Sequence, residues 1–235
     1  MLIAPRPEDP AVLSYLTLRK AVGVVALGLP FVLAIPYWFI GNHALESSIS
    51  SYYYTGMRNL FVGSLCAISM FMLCARGYDI KDEVAGIFSS LCALGVAFFP
   101  TTPDGPATKR QCELGTAHYI FAALLFLTLA YFCLVLFKMT AFGKKVTPQK
   151  IQRNRVYTVC GCSILGSLAF ILLIEVLLKH TYLIGRLGTL FCFETTSLIA
   201  FGIAWLTKGE TFLKDADNAE ALIEPSGLAG ATPGF

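Results

Sequence analysis

Residues 21–40 read AVGVVALGLPFVLAIPYWFI and contain no charged side chain. Twenty apolar residues are about the number that an α-helix needs to cross ~30 Å of hydrocarbon. Pro30 and Pro36 should bend such a helix, and Tyr37 and Trp38 lie where aromatic side chains anchor a helix at a membrane interface. The stretch therefore predicts a first helix that spans a membrane.

The whole chain of 235 residues has the composition of an integral membrane protein. Hydrophobic residues make up 56% of it and charged residues 14%, and its mean hydropathy of +0.67 exceeds that of ordinary soluble domains. Apolar runs use nearly the full length, so no separate water-soluble domain is expected. The net charge of +3 is modest, and we predict no nucleic-acid partner.

Five further apolar runs follow the first, separated by polar or charged turns. We therefore predict an all-α fold, an integral membrane bundle of six transmembrane helices in one domain over residues 1–206. Residues 207–235 are rich in acids, Ala and Gly, which predicts a poorly ordered cytoplasmic tail. The predicted spans are 21–40, 59–75, 84–99, 117–137, 156–178 and 187–206.

The distribution of Lys and Arg predicts the orientation of this bundle. With six spans, thirteen of the eighteen Lys and Arg residues fall on the side of the amino terminus and five on the other. Residues 138–155 alone hold six of them and no acid. Because cytoplasmic loops are enriched in Lys and Arg, we predict a multi-pass protein of the cell inner (plasma) membrane with both termini in the cytoplasm.

Cysteines and small residues suggest how the predicted helices pack. Seven of the eight cysteines lie in apolar runs and only Cys112 lies in a loop, which argues against a disulfide framework. The fifth span contains Gly161, Ser163, Gly166 and Ser167, which allow helix backbones to approach closely. We expect membrane lipids as partners, and the small-residue faces also allow an oligomer.

Residues 42–58, NHALESSISSYYYTGMR, form a polar, tyrosine-rich segment between two apolar runs. On a helix this segment would place one set of polar side chains together and a second, more apolar set on another face. That arrangement is typical of a short helix lying at a membrane surface. Serine and tyrosine are equally common in plain interfacial loops, and that interpretation stays open. The polar set is His43, Ser47, Ser50 and Tyr54, and the apolar set is Leu45, Ile49 and Tyr53.

The predicted orientation places all three histidines, His43, His118 and His180, on the outer side. Glu194 lies seven residues into the last span, about 10 Å below the outer boundary. A carboxylate at that depth costs a few kcal/mol unless it is paired, protonated or in contact with water, so Glu194 is a candidate functional residue. Alternatively, it pairs with Arg58 or His118 and holds helices together. The candidate ligand-binding residues are His43, Glu46, Ser50, Tyr54, Arg58, His118 and Glu194.

These residues favour an outward-facing polar pocket that recognises or moves a lipid headgroup or a small solute. A cation or a proton would be received by Glu194 or Glu175. An anionic headgroup would be bound by one of four basic residues of the outer layer. Those four are Arg58, Lys109, Arg110 and Arg186.

Two other classes of function stay open. Zinc held by His43, His118 and His180 could activate a water molecule, which would make the chain a metal-dependent membrane lipid hydrolase. The paired histidines typical of such sites are missing from the sequence. We therefore predict that the protein has no cofactor, and we keep zinc as the alternative. The chain could also be a structural subunit of a membrane complex, and whether it is an enzyme is left open.

Four segments have distinctive sequences: SSISSYYYTGMRNLFVGSLCA at 47–67, RGYD at 76–79, PTTPDG at 100–105 and AHYIFAALLF at 117–126. Together they resemble an uncharacterised bacterial multi-span membrane family, domain of unknown function nine-nine-eight. The resemblance covers most of residues 40–207 and extends, more distantly, to six-span eukaryotic proteins of the Frag and DRAM type, which are linked to membrane-lipid handling. It implies the six-span fold and leaves the activity open. Alkaline ceramidase and progestin-receptor-like hydrolases are seven-span zinc proteins with paired histidines, which this chain lacks.

Overall fold

The computed structural model describes residues 10–42, 44–74, 80–140, 147–177 and 188–213, and within these ranges it contains helices and no strand. The predicted all-α fold class is therefore confirmed. The α-helices are α1 (Pro10–Tyr37), α2 (Arg58–Cys74), α3 (Ile80–Phe98), α4 (Lys109–Leu134), α5 (Pro148–Leu177) and α6 (Thr189–Lys208). Short helical turns occur at Trp38–Asn42 (π), Ser50–Tyr54 (3-10) and Leu136–Lys138 (3-10).

The helices extend beyond the predicted spans where their ends are polar. α4 begins eight residues before the predicted 117, because the hydroxyl of Thr108 accepts from the Gln111 amide while the Gln111 side chain accepts from the Thr108 amide. This reciprocal arrangement satisfies amides at a helix start. α5 likewise begins eight residues before the predicted 156, at Pro148, a residue suited to a first helical position. Hydropathy marks the apolar part of a helix and misses such polar turns.

Within the described ranges, four helices are long and apolar enough to cross a membrane. They are α1 over Leu16–Ile40, α4 with its following turn over Lys109–Lys138, α5 over Pro148–Ile174, and α6 over Thr189–Lys208. α2 is apolar but has only 17 residues. α3 has 19 residues, and its first turn contains Asp82 and Glu83 beside Lys81.

The six helices form a ring in which each packs against its neighbours in sequence and α6 packs against α1. Helices α1 and α6 are antiparallel, because Lys20 lies near Gly209 whereas Leu27, later in α1, lies near Gly202, earlier in α6. Ser69 of α2 similarly bonds Ser90 of α3, with hydroxyl oxygens 2.8 Å apart. Sequential antiparallel packing brings the connections 38–57 and 99–108 to one end of the ring, together with the amino end of α6. We call this the serine end, and the opposite end the basic end.

Close backbone approach joins α1 to α6 at two glycines. A methyl group added at Gly202 would lie 2.8 Å from the carbonyl oxygen of Gly23 and 2.8 Å from Cβ of Leu27. Backbone atoms cannot move aside as a flexible side chain can, so only glycine fits at this position. Small residues at helix interfaces are typical of membrane bundles, where tight packing rather than the hydrophobic effect holds helices together.

The segment 42–58 is not one continuous helix as its pattern had suggested. Between the π turn that ends at Asn42 and the start of α2 at Arg58, the described residues contain bends and a turn over 44–49 and one 3-10 turn, Ser50–Tyr54. The hydroxyl oxygen of Ser48 accepts from the amide of Ser51 at 3.0 Å, and the amide of Ile49 donates to a side chain of α6. Serine hydroxyls that capture nearby amides compete with α-helical hydrogen bonds, which explains the difference.

The basic end gathers cationic side chains from three helices. Arg19 of α1 and Arg153 of α5 are each only 8% exposed. The Lys150 ammonium donates to the carbonyl of Phe137 at 2.9 Å, and the Lys208 nitrogen lies 5.6 Å from the centroid of the Phe137 ring.

The small residues of α5 have different surroundings. Gly161 contacts Leu134 of α4, whereas Gly166 has open space around it. The tail prediction for 214–235 lies outside the described residues.

Candidate functional site

The serine end contains four serines of the α1–α2 connection, Ser47, Ser48, Ser50 and Ser51, which we call the serine turn. The Ser48 hydroxyl oxygen lies 2.8 Å from that of Ser51 and 3.1 Å from that of Ser50. The Ser47 hydroxyl lies 3.0 Å from that of Ser51 and donates to a carboxylate oxygen of Asp104 at 3.0 Å. The serine turn is therefore tied to the α3–α4 connection by a hydrogen bond to a carboxylate.

Glu194 holds the serine turn against α6. Its carboxylate oxygen Oε2 accepts a hydrogen bond from the backbone amide of Ile49 at 2.5 Å. A second bond runs from the amide of Phe191 to the carbonyl of Ser47 at 3.1 Å. Hydrogen bonds to an ionised carboxylate are short and stronger than neutral ones, so Glu194 fixes the position of this loop.

His118 of α4 is buried, with 2% of its surface exposed. Its Nδ1 lies 2.7 Å from the carbonyl oxygen of Phe99, at the end of α3. A carbonyl oxygen can only accept, so Nδ1 carries the proton and donates this hydrogen bond. The His118 ring also packs edge-on against Tyr119, with centroids 5.9 Å apart.

Tyrosine hydroxyls connect the serine turn to the neighbouring loop. The Tyr54 hydroxyl donates to the carbonyl of Thr101 at 2.5 Å, and the Thr101 hydroxyl donates to Tyr119 at 3.0 Å. Burial raises the pKa of Tyr54 above its usual value, with the neighbouring Tyr53 as a smaller cause. The hydroxyl of Tyr54 is therefore neutral at physiological pH and available as a donor.

Tyr52 is the fully buried tyrosine of this segment. Its ring contacts Tyr37 edge-on, with centroids 5.2 Å apart, and lies 6.3 Å from the ring of Phe191. Burial raises the pKa of Tyr52. The Tyr37 hydroxyl donates a hydrogen bond to the carboxylate of Glu46. The aromatic side chains thus pack the connection onto α1 and α6.

A cavity of about 250 Å³ lies beneath the serine turn. Its lining has a polar part and an apolar part. The polar part is Ser47, Ser48, Ser50, Ser51, Thr101, Thr102, Asp104, His118, Tyr119 and Glu194. The apolar part is Ala122, Ala123, Phe126, Leu168, Ile171, Leu172 and Leu190.

Two further cavities adjoin this one. A void of about 50 Å³ lies among apolar side chains of the bundle and shares Ser50, His118 and Glu194 with the main cavity. A more open depression of about 430 Å³ contains Glu46 and Tyr54 and shares Ser51 and Asp104. The three neighbouring cavities therefore share carboxylate, hydroxyl and imidazole side chains at the serine end.

A groove of about 450 Å³ between α3 and α4 is larger than the main cavity but chemically poorer. Its lining includes Val84, Phe88 and Leu127, and Lys81 is the only charged side chain that the described residues contribute to it. Apolar grooves on the outside of a membrane bundle are normal contact surfaces for lipid chains. The cavity at the serine end is therefore the better candidate for specific recognition.

Most of the residues predicted for the site line the main cavity or the adjoining depression. Ser50, His118 and Glu194 line the main cavity, and Glu46 and Tyr54 line the adjoining depression. His43, His180 and Arg186 lie outside the described residues, as does the side chain of Glu175.

Arg58 and Lys109 have other contacts. The Arg58 guanidinium lies 4.2 Å from the centroid of the Tyr53 ring and donates to the Tyr53 hydroxyl at 2.5 Å. Lys109 forms an exposed ion pair with Glu113 at 3.9 Å. Neither belongs to the lining of the main cavity, and an ion pair between Arg58 and Glu194 is not found in the described part of the chain.

The described residues contain no group of three or more His, Cys, Asp and Glu side chains that could hold a metal ion. Two of the three histidines considered as zinc ligands, His43 and His180, are not among those residues. All eight cysteines are described, and all are unpaired thiols.

Sequence reasoning did not select several lining residues. Asp104, Ser47, Ser48 and Thr101 come from the two connections at the serine end, and Tyr119 from α4. The PTTPDG turn predicts only a chain reversal after α3. The contact between Asp104 and Ser47 depends on how two loops 57 residues apart meet, which periodicity along one helix does not reveal.

Comparison of the chain with protein-family models, with curated proteins and with solved structures found no match. The resemblance to domain of unknown function nine-nine-eight therefore stays a prediction. The interpretation of the site rests on its geometry.

Proposed function

We propose that the chain is a six-span membrane protein whose cavity at the serine end faces outward and binds a small solute or the headgroup of a lipid. One observation carries the proposal: the cavity of about 250 Å³ joins His118 and Glu194 to a set of hydroxyls. Ligand sites commonly combine apolar walls with a few converging polar groups. Titratable side chains inside a membrane bundle are costly, and they usually mark ligand or ion sites.

The lengths of α2 and α3 support six spans. At 1.5 Å per residue, their 17 and 19 residues reach about 26 and 28 Å, close to the ~30 Å of hydrocarbon. Both helices also belong to the ring formed with the four longer ones. The charged first turn of α3 would then lie at the membrane surface, where charges are tolerated.

The cations of the basic end support an orientation with both termini in the cytoplasm. Arg19, Lys150, Arg153 and Lys208 come from α1, α5 and α6 and lie at the end opposite the cavity. An excess of Lys and Arg is typical of the cytoplasmic side. This orientation directs the serine end outward, in the inner (plasma) membrane of a cell.

Two other functions stay predictions: a metal-dependent lipid hydrolase and a structural subunit of a membrane complex. A metal-dependent lipid hydrolase requires at least three ligands, and His43 and His180 lie outside the described residues. A structural subunit would need a partner surface, for which Gly166 on α5 offers open space. The distant resemblance to lipid-handling six-span families agrees with a lipid or a solute as ligand.

The experiment is to identify molecules that copurify with the full chain. Ala123→Phe fills the apolar part of the cavity, and Val159→Phe adds the same ring on an exposed face of α5 away from it. Solutes and lipids extracted from each purified protein are compared by mass spectrometry, after thermal melting has shown that both variants fold. We expect a compound that is retained by wild type and Val159→Phe and depleted from Ala123→Phe. The same compounds in equal amounts in all three would overturn the proposal.

A further inference from the structure

The polar part of the main cavity combines hydroxyl side chains with two carboxylates and one imidazole. The carboxylates belong to Asp104 and Glu194, and the imidazole of His118 donates from Nδ1 to the carbonyl of Phe99. No Lys or Arg is found among the lining residues of the described chain. Among the described lining residues the acidic side chains are therefore Asp104 and Glu194, and the hydroxyls can either donate to a ligand or accept from it.

Asp104 has capacity for a further donor. An ionised carboxylate offers about four acceptor positions, and the Ser47 hydroxyl occupies one of them. Glu194 contributes a second carboxylate to the lining, and its Oε2 accepts from the Ile49 amide. An anion placed beside Asp104 would be repelled, whereas a cation or a neutral donor would be attracted.

The apolar part of the lining indicates that the ligand also has an apolar portion. Ala122 and Ala123 follow His118 by about one turn of α4, and Phe126 follows it by about two turns. Leu168, Ile171 and Leu172 of α5 also belong to the apolar part of the lining. If a fully hydrated metal ion or a small polar solute were bound, these apolar side chains would stay exposed to water, which is unfavourable.

We infer that the ligand of this cavity is an amphipathic ammonium compound, with a positively charged nitrogen toward Asp104 and Glu194 and a short alkyl chain against Phe126 and Leu172. The inference rests on the proposed function and specifies the ligand class of that same site. It differs from recognition of an anionic headgroup, for which the basic residues of the outer layer were considered. Arg58 is held on Tyr53, and Lys109 is paired with Glu113, both away from the lining.

The test compares three probes of equal chain length: hexylammonium, hexanol and hexanoate. Full-length Ala123→Cys in lipid nanodiscs is alkylated with a maleimide, and the reaction rate at residue 123 is followed by peptide mass spectrometry. Cys112, an exposed natural thiol outside the lining, provides the internal control in the same sample. We expect hexylammonium to protect residue 123 at a concentration at least about tenfold below that needed for hexanoate, with hexanol between them. Protection of Cys112 should be absent.

Neutralising either carboxylate should remove the preference for hexylammonium over hexanol. In Ala123→Cys carrying Asp104→Asn or Glu194→Gln, protection by hexylammonium should fall toward that by hexanol, while hexanol itself should be little changed. Equal or better protection by hexanoate would overturn the ammonium assignment and leave the proposed function standing, provided that Ala123→Phe still loses its copurified compound. If none of the three probes protects residue 123, the assignment fails. If Ala123→Phe also loses nothing, the proposed function fails with it.

Discussion

The carboxylate of Glu194 accepts a hydrogen bond from the backbone amide of Ile49, 145 residues earlier in the chain, over 2.5 Å. The contact ties the second turn of α6 to the connection between α1 and α2 and so helps to close the ring of helices. Because Glu194 also lines the main cavity, one side chain both supports the serine turn and contributes charge to the candidate site.

Substitutions of Glu194 should separate these two roles. Glu194→Gln keeps an acceptor for the Ile49 amide and loses only the strengthening that charge provides, so we expect a loss of about 1 kcal/mol or less in unfolding free energy. Glu194→Ala leaves a buried amide without this acceptor and should cost about 1–3 kcal/mol. Chemical denaturation in detergent measures both. Equal losses for Gln and Ala would show that the hydrogen bond contributes little.

Ser48 should matter more for the fold than its neighbour Ser47. The Ser48 oxygen accepts from the amide of Ser51 at 3.0 Å, much as a capping residue does at a helix start. We expect Ser48→Ala to lower the unfolding free energy by about 1 kcal/mol. Ser47→Ala is the matched control, because the Ser47 hydroxyl bonds only other side chains and its bond to Asp104 is exposed. A larger loss for Ser47→Ala than for Ser48→Ala would contradict this assignment.

The helices could be predicted from sequence more fully than the site. Charge-free runs such as 21–40 identify helices directly, because a membrane span needs a fixed length of apolar residues. Ends such as the Thr108–Gln111 cap are encoded by local hydrogen bonds, which hydropathy does not register. Glu194 was found because a carboxylate in an apolar run is unusual by itself. Asp104 belongs to the site only because two loops distant in sequence meet in the fold, so no local pattern identified it.

The approach of α1 to α6 should be sensitive to one added methyl group. Gly202→Ala would place Cβ 2.8 Å from the carbonyl oxygen of Gly23, so we expect the helices to separate at a cost of about 1–3 kcal/mol. Gly166→Ala on α5 meets nothing within 4 Å and should be neutral, or stabilising by up to about 1 kcal/mol through helix propensity. Unfolding midpoints of the two variants in the same detergent provide the comparison. An unchanged midpoint for Gly202→Ala would contradict the close packing of these helices.

The orientation of the bundle can be tested with reporters that are active only in the cytoplasm. Thirteen Lys and Arg residues are assigned to the amino-terminal side and five to the other, and Arg19, Lys150, Arg153 and Lys208 gather at the basic end. A fusion after Lys145 or after Lys208 should therefore be active, and a fusion at Asp104, beside the serine turn, should be inactive. Western blotting for equal amounts of each fusion guards against loss of an unstable protein. A periplasm-active reporter at the same three positions should give the opposite pattern. Cytoplasmic activity at Asp104 would reverse the orientation and turn the cavity with His118 and Glu194 toward the cell interior.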